Sequence, residues 1–197
     1  VSAVILASAS AARAALLRSA GLEVTTQPSG VDEEALKASL LAETATPRDI
    51  ADALAEAKAV KVSARRAGLV IGADTTLDLD GVLYDKPSSL EEANAHLRAF
   101  RGQTHRLHSA AVIAEAGRPV WRRLETASLT VRDFSEGFLS AYMAAEGEAL
   151  LSSVGCYRLE GLGAQLFSRI EGDYFTILGL PLLPVLDYLR TRGVLTP

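Results

Sequence analysis

AVILASASAARAALLRSAG, residues 3–21, reads as a strand that runs straight into a helix. Residues 3–7 are a short apolar run, Ser8 and Ser10 stand at the junction, and residues 14–20 follow a helical pattern that Gly21 stops. A strand ending at a helix N-terminus aims several backbone N–H groups at one spot, and the helix dipole adds positive potential there. Two serine hydroxyls and Arg13 at that spot make a cradle for a phosphate. Ordinary N-capping by Ser8 or Ser10 beside a solvated arginine accounts for the same residues.

Outward from this unit, strands and helices alternate, which argues for an α/β fold. Residues 23–27 read as a strand and 32–43 as a helix. Thr46-Pro47 opens another helix, with threonine as N-cap, proline at the first helical position and Asp49 in the first turn. It is expected to run to about Ala67, where Gly68 stops it. Residues 69–73 (LVIGA) are a fully apolar strand that 75–79 continue, Asp80-Gly81 is a hairpin turn, and 82–84 return. Ser89 and Glu92 form a capping box for a helix to Phe100. Residues 104–114 and 120–131 are long strands around Ala116-Gly117-Arg118, and 135–145 a helix. The C-terminal part holds Gly-rich turns, a short helix near 164–168, a strand near 175–178 and a helix from Pro181. No repeat, low-complexity tract or linker intervenes, so one domain is expected over residues 1–197.

Of the 197 residues, 49% are hydrophobic and 22% charged, enough for one substantial core in one or two lobes. A net charge of −4 argues against a nucleic-acid polymer as partner, while small anions remain open. A lone cysteine, Cys156, excludes an intrachain disulfide and a cysteine-cluster metal site. Structural or solvated roles are expected for His96, His105 and His108. The apolar start lacks a charged n-region and is too short for a signal-peptide core, and no segment approaches membrane-spanning length. A cytoplasmic location without membrane contact is the expectation.

Asp74 ends an apolar strand between Gly72-Ala73 and Thr75-Thr76, a place suited to a metal ligand or general base and equally to a turn aspartate. Lys86 follows the hairpin, which folds the chain back toward the strand that carries Asp74. A lysine beside a carboxylate suits a phosphate substrate with a divalent cation; a solvated loop lysine is the plainer reading. In the helix opened by Pro47, Ile50, Leu54 and Ala57 set an apolar stripe that contains Lys61 and leaves Lys58 at its edge. Either lysine faces a polyphosphate or snorkels to water. Asp32, Glu33 and Glu34 complement a helix dipole; as metal or water ligands they need Asp74 nearby. No P-loop lysine motif, GxGxxG helix start, GxSxG or HExxH occurs, so P-loop, Rossmann, serine and zinc hydrolase chemistry lack support.

The ordered set VILASASAARAALLRSAGLEV, VDEE, LAEAKA, VIGADTTLDLDG, YDKP, LRAFRGQTH and SVGCYRLEGLGAQLFSRIEGDYFTILGLPL resembles the blocks of the Maf family of nucleoside triphosphate pyrophosphatases over nearly the whole chain. The resemblance implies an elongated α/β fold with a mixed, bent central sheet flanked by helices, and two lobes with a cleft, as in inosine triphosphate pyrophosphatases. It implies hydrolysis between the α- and β-phosphates of a nucleoside triphosphate, a divalent cation (Mg²⁺ or Mn²⁺), and the homodimers frequent in the family. Asp74 matches the proton acceptor; Glu33 and Asp74 are the candidate ligands for the implied cation. Ser8, Ser10 and Arg13 match the phosphate-binding turn, Glu33, Lys58 and Lys86 charged cleft residues, and Gln103 a polar position. Lys61 matches nothing, which favours Lys58.

The family sorts substrates at three positions, and here the signature is mixed. Ala12 is neither the arginine of the dTTP/UTP group nor the tryptophan of the 7-methyl-GTP group. Thr75 fits the first group and Glu160 the second. A carboxylate at Glu160 accepts hydrogen bonds from base N–H groups, favouring guanine-like or cytosine-like edges. The expected role is removal of modified or surplus nucleotides. The competing readings are an inosine/xanthosine triphosphate pyrophosphatase and a non-catalytic nucleotide-binding regulator of cell division.

Overall fold

The opening strand–helix unit forms where its pattern places it: β1 is Val4–Leu6 and α1 is Ala11–Ser19, capped by Ser10. The computed structural model describes residues 3–196; Val1 and Ser2, where the apolar start begins, and Pro197 lie outside the described residues. The chain continues through β2 (Val24–Thr26), α2 (Glu33–Ala42), α3 (Pro47–Ser63), β3 (Leu69–Leu79), β4 (Val82–Tyr84), α4 (Leu90–Phe100), β5 (Thr104–Glu115) and β6 (Arg118–Val131). It ends with α5 (Glu136–Glu146), β7 (Phe167–Glu171), α6 (Tyr174–Ile177) and α7 (Leu182–Thr191), with 3₁₀ turns at Gly147–Ser152 and Leu162–Leu166. The seven strands are ordered β2-β1-β3-β5-β6-β7, with β4 paired to β3. The sheet is mixed: β1 runs parallel to β2 and β3, while β4 is antiparallel to β3 and β7 to β6.

The chain divides into two compact units. One takes in the chain up to Thr75, His108–Glu125 and the chain from Asp173 on; the other is Thr76–Leu107 with Thr126–Gly172. The first unit is a sheet with helices on both faces, and the two-residue strand period explains it. Val4 and Leu6 of β1, Leu69, Ile71 and Ala73 of β3 and Ala111 and Ile113 of β5 face Ala14 and Leu17 of α1 and Val185 and Leu189 of α7. Their neighbours point the other way. Ile5 and Ala7 meet Val70 and Val62, and Ala110, Val112 and Ala114 of β5 meet Ala51, Ala55 and Ala59 of α3. Small side chains on both sides of this contact let α3 lie close to the sheet. Gly72 is the closest point: a Cβ there would run into the Ala55 carbonyl oxygen and come within 2.6 Å of the Ala59 nitrogen.

In the second unit, Leu97 and Phe100 of α4, Leu129 of β6, and Phe134 and Leu139 are buried, and His105 lies beneath Phe100, Tyr157 and Phe167. Several expectations are corrected. The helix opened by Pro47 ends at Ser63 rather than near Ala67. The segment expected as a strand near 175–178 is the one-turn helix α6, because the Asp173 carboxylate accepts the Thr176 N–H at 2.8 Å and closes a helical turn. The short helix near 164–168 is a 3₁₀ turn ending at Leu166, and Phe167 and Ser168 already belong to β7. At the start of α4, Ser89 caps Glu92, but the Glu92 carboxylate returns to Ser88 rather than to Ser89, so the reciprocal box does not close.

Candidate active site

Asp74 and Thr75 are successive residues of β3 and therefore point to opposite faces of the sheet. Asp74 continues the row of Val70 and Gly72 toward α3. Because Gly72 has no side chain, α3 approaches there, and one turn along its buried face stands Lys58. Its Nζ lies 2.6 Å from Asp74 Oδ1 and 2.9 Å from Glu33 Oε2. Lys58 is 5% exposed and Asp74 8%, whereas the Glu33 side chain, in the first turn of α2, is 46% exposed. The result is one ammonium shared by two carboxylates, closed on the protein side and open at Glu33. The stripe expected through Lys61 is displaced. The buried face of α3 runs through Ile50, Ala51, Leu54, Ala55, Lys58, Ala59 and Val62, and Lys61 is exposed.

Thr75 points to the α1 face, where the residues of the opening turn stand. Ser8 Oγ accepts the Ser10 N–H at 3.1 Å, and Ser10 Oγ accepts the Arg13 N–H at 3.3 Å, so both serines do cap the turn. Arg13 is not a solvated arginine. Its Nε donates to the Gly179 carbonyl oxygen at 2.8 Å and its Nη2 to Thr75 Oγ1 at 3.1 Å. Burial lowers its pKa from the ordinary value, while the charges of Asp74 and Glu33 oppose that shift. Ala12 is exposed on α1.

A cavity of about 130 Å³ opens beside Lys58, lined by Ser8, Ser29, Gly30 and Glu33 among others. Residues 28–30 of the loop that forms one wall belong to no motif. The loop is held by the exposed Lys61, whose Nζ donates to the Gly30 carbonyl oxygen, and Gly30 has the positive φ of 64° that such a turn requires. Ser109, 3.0 Å from Thr75 Oγ1, was missed as well; a serine inside a buried strand gives no sequence signal. Lys86, Gln103 and Glu160 belong to the second unit, and each is exposed. Among the described residues no group of three or more His, Cys, Asp or Glu side chains converges as a metal site, and no helix is long and apolar enough to cross a membrane.

In the first unit a lysine–carboxylate cluster stands on one face of β3 and a half-buried arginine at a helix start on the other, groups whose chemistry suits an anion and a proton transfer. The chain belongs to the Maf-like protein family, whose match extends over residues 3–192. It is 62% identical over 193 residues to a nucleoside triphosphate pyrophosphatase of Caulobacter vibrioides, covering 98% of this chain and 97% of the relative. A protein of the same name from Paramagnetospirillum magneticum is 55% identical, covering 98% and 100%. A 7-methyl-GTP pyrophosphatase of Brucella suis is 49% identical over 94% of each chain.

Proposed function

We infer that this chain is a nucleoside triphosphate pyrophosphatase, a hydrolase of acid anhydrides that cleaves between the α- and β-phosphates to give a nucleoside monophosphate and pyrophosphate. The observation that carries the reading is the Lys58 ammonium held between Glu33 and Asp74, which sits midway along β3. Water attacks phosphorus, the P–O bond to the departing pyrophosphate breaks, and the Asp74 carboxylate takes the proton of the attacking water. Lys58 keeps Asp74 oriented and faces the phosphate oxygens, while Arg13 and the N–H groups at the start of α1 hold phosphate charge. Ser8 and Ser10 use their oxygens on the turn and keep their O–H donors for the substrate.

Two carboxylates, one of them half-exposed, are too few to cage a resident metal. They do suit Mg²⁺ or Mn²⁺, which binds through one or two carboxylates and completes its shell with water and substrate phosphates. Glu33 and Asp74 would hold such a cation, and when bound it neutralises phosphoryl charge. Removal of modified or surplus nucleotides is the role that fits, given relatives of both names.

The test is pyrophosphate release from dTTP, UTP, CTP, 7-methyl-GTP and ITP with Mg²⁺ or Mn²⁺. Turnover of at least one, abolished by chelation, is expected. Tight binding of one member without turnover of any would move the assignment to a nucleotide-binding regulator. Replacing Lys86, Gln103 or Glu160 in the same assay tests the roles that the resemblance gives them.

A further inference from the structure

Ser109 belongs to none of the motifs above, yet its hydroxyl sits fully buried in the middle of the Arg13 network. It donates to the Thr176 carbonyl oxygen at 2.7 Å. A hydroxyl has one proton to give, so the 3.0 Å bond between Ser109 and Thr75 uses the Thr75 proton. Thr75 Oγ1 then presents its remaining lone-pair density to Arg13, whose Nη2 donates to it at 3.1 Å. The bonds run in one direction, from guanidinium to Thr75, to Ser109, to the Thr176 carbonyl. The far end is fixed, because the Asp173 carboxylate accepts the Thr176 N–H at 2.8 Å and the Thr176 hydroxyl has carboxylate acceptors in Asp173 at 3.1 Å and Glu125 at 3.3 Å.

Among the described residues, the other acceptor in reach of the Thr75 proton is the Gly179 carbonyl oxygen at 3.4 Å. That oxygen already accepts Arg13 Nε at 2.8 Å. Without the Ser109 oxygen, the Thr75 proton turns to Gly179, competes with Nε there, and swings the Thr75 lone pairs out of their alignment with Nη2. The backbone at Gly179 is closely fitted: its φ is +103°, and a Cβ there would lie 3.4 Å from Thr75 Oγ1 and 3.5 Å from Arg13 Nε.

We propose that Ser109 is a positioning residue for the substrate phosphates: by accepting the Thr75 proton it holds Arg13 at both Nε and Nη2, so that the Nη1 edge is presented to a phosphoryl oxygen. The inference rests on the reading in which Arg13 binds the triphosphate. Ser109 itself touches no substrate, so its loss acts on binding more than on the chemical step.

The experiment measures KM, kcat and the thermal midpoint with the triphosphate of highest kcat/KM in the panel, for Ser109→Ala, Thr75→Val, the double variant, Thr75→Ser and Arg13→Lys. Ser109→Ala and Thr75→Val are each expected to raise KM about 3- to 10-fold, the size of one lost hydrogen bond, with kcat within about twofold. The double variant should be no worse than the poorer single one, because both break the same chain. Thr75→Ser, which keeps the hydroxyl, should restore KM. Single-variant effects that multiply in the double, an unchanged KM in Ser109→Ala, or a Thr75→Ser as poor as Thr75→Val would each overturn the proposal. Arg13→Lys separates the levels. A raised KM there with a silent Ser109→Ala sinks the relay alone, whereas an unchanged KM in Arg13→Lys sinks the triphosphate role of Arg13 on which the relay depends.

Discussion

Midway along β3, Asp74 is buried as an ion pair with Lys58 of α3; in the second unit, His105 and Tyr157 are buried as neutral groups. The first pair shares its ammonium with Glu33, which stays 46% exposed, so charge is kept and one side remains open. The second pair is sealed. Burial pushes the His105 ring down to about 4 and the Tyr157 phenol well above its ordinary value, and the two meet at 2.8 Å beneath aromatic rings. His105 Nδ1 is the one buried side-chain nitrogen or oxygen among the described residues without a hydrogen-bond partner. Both centres lie in stretches that resemble family blocks. Burial alone therefore does not mark chemistry; charge retained beside an opening does.

Asp74→Asn tests that distinction with the largest effect. Asparagine keeps the shape and can still accept from Lys58, but it cannot take a proton at neutral pH. A fall in kcat of about 10²- to 10⁴-fold is expected, well beyond any change in KM. Steady-state kinetics giving less than about a tenfold fall would remove Asp74 from the proton-transfer role. Gly72→Ala reaches the same cluster through packing. The new methyl would strike the backbone of α3 at Ala55 and Ala59, so the helix that carries Lys58 must shift. Urea denaturation should show a loss of about 3 kcal/mol, with reduced turnover. An unchanged stability would mean that α3 is free to move and that Lys58 is not held in place by the sheet.

How far this was legible depends on the kind of signal. Strand–helix alternation, the caps at Ser10 and Thr46, and the Asp80-Gly81 turn are local, and they appear where the residues place them. A helical wheel weights large residues, so Ile50 and Leu54 dominate the stripe, and carrying it on through Ala57 leads to Lys61 rather than Lys58. The face that packs closest to the sheet is made of Ala51, Ala55 and Ala59, whose smallness allows the contact but adds little hydrophobic signal. α6 was misread because Tyr-Phe-Thr-Ile favours a strand in isolation, and the Asp173 cap overrides that preference. The Thr75–Ser109 contact joins residues on different strands, so no pattern along the chain could contain it.

The neutral centre yields a prediction in pH rather than in rate. The unfolded chain binds a proton at His105 below about pH 6.5, whereas the folded chain, with this ring lowered to about 4, does not. Stability from this group is therefore fully present above about pH 6.5 and falls as the pH drops toward 4, by up to about 3 kcal/mol. His96 is also lowered, by partial burial, so the comparison is between proteins rather than against a flat line. His105→Gln should flatten this part of the unfolding free energy between pH 4 and 6.5 and leave kcat above pH 7 nearly unchanged in the folded protein. An identical pH slope in the two proteins would mean that the ring is reached by protons and that the contrast with Asp74 fails.

The smallest effect lies at the rim of the charged centre. Lys61 is exposed and ties the Gly30 carbonyl, and with it the loop that walls the cavity beside Lys58, to α3. An exposed charge-assisted hydrogen bond of this kind contributes little to folding. Lys61→Ala should leave the thermal midpoint within experimental error. If the loop's position matters to the substrate, KM should rise about two- to fivefold while kcat holds, the energy of one modest hydrogen bond spent on ordering the wall at binding. Lys61→Arg, which can still reach the carbonyl, should recover most of the loss. Equal KM values for all three proteins would confine the open side of the cluster to Glu33 and the turn at Ser8, and would make the loop at Gly30 a bystander.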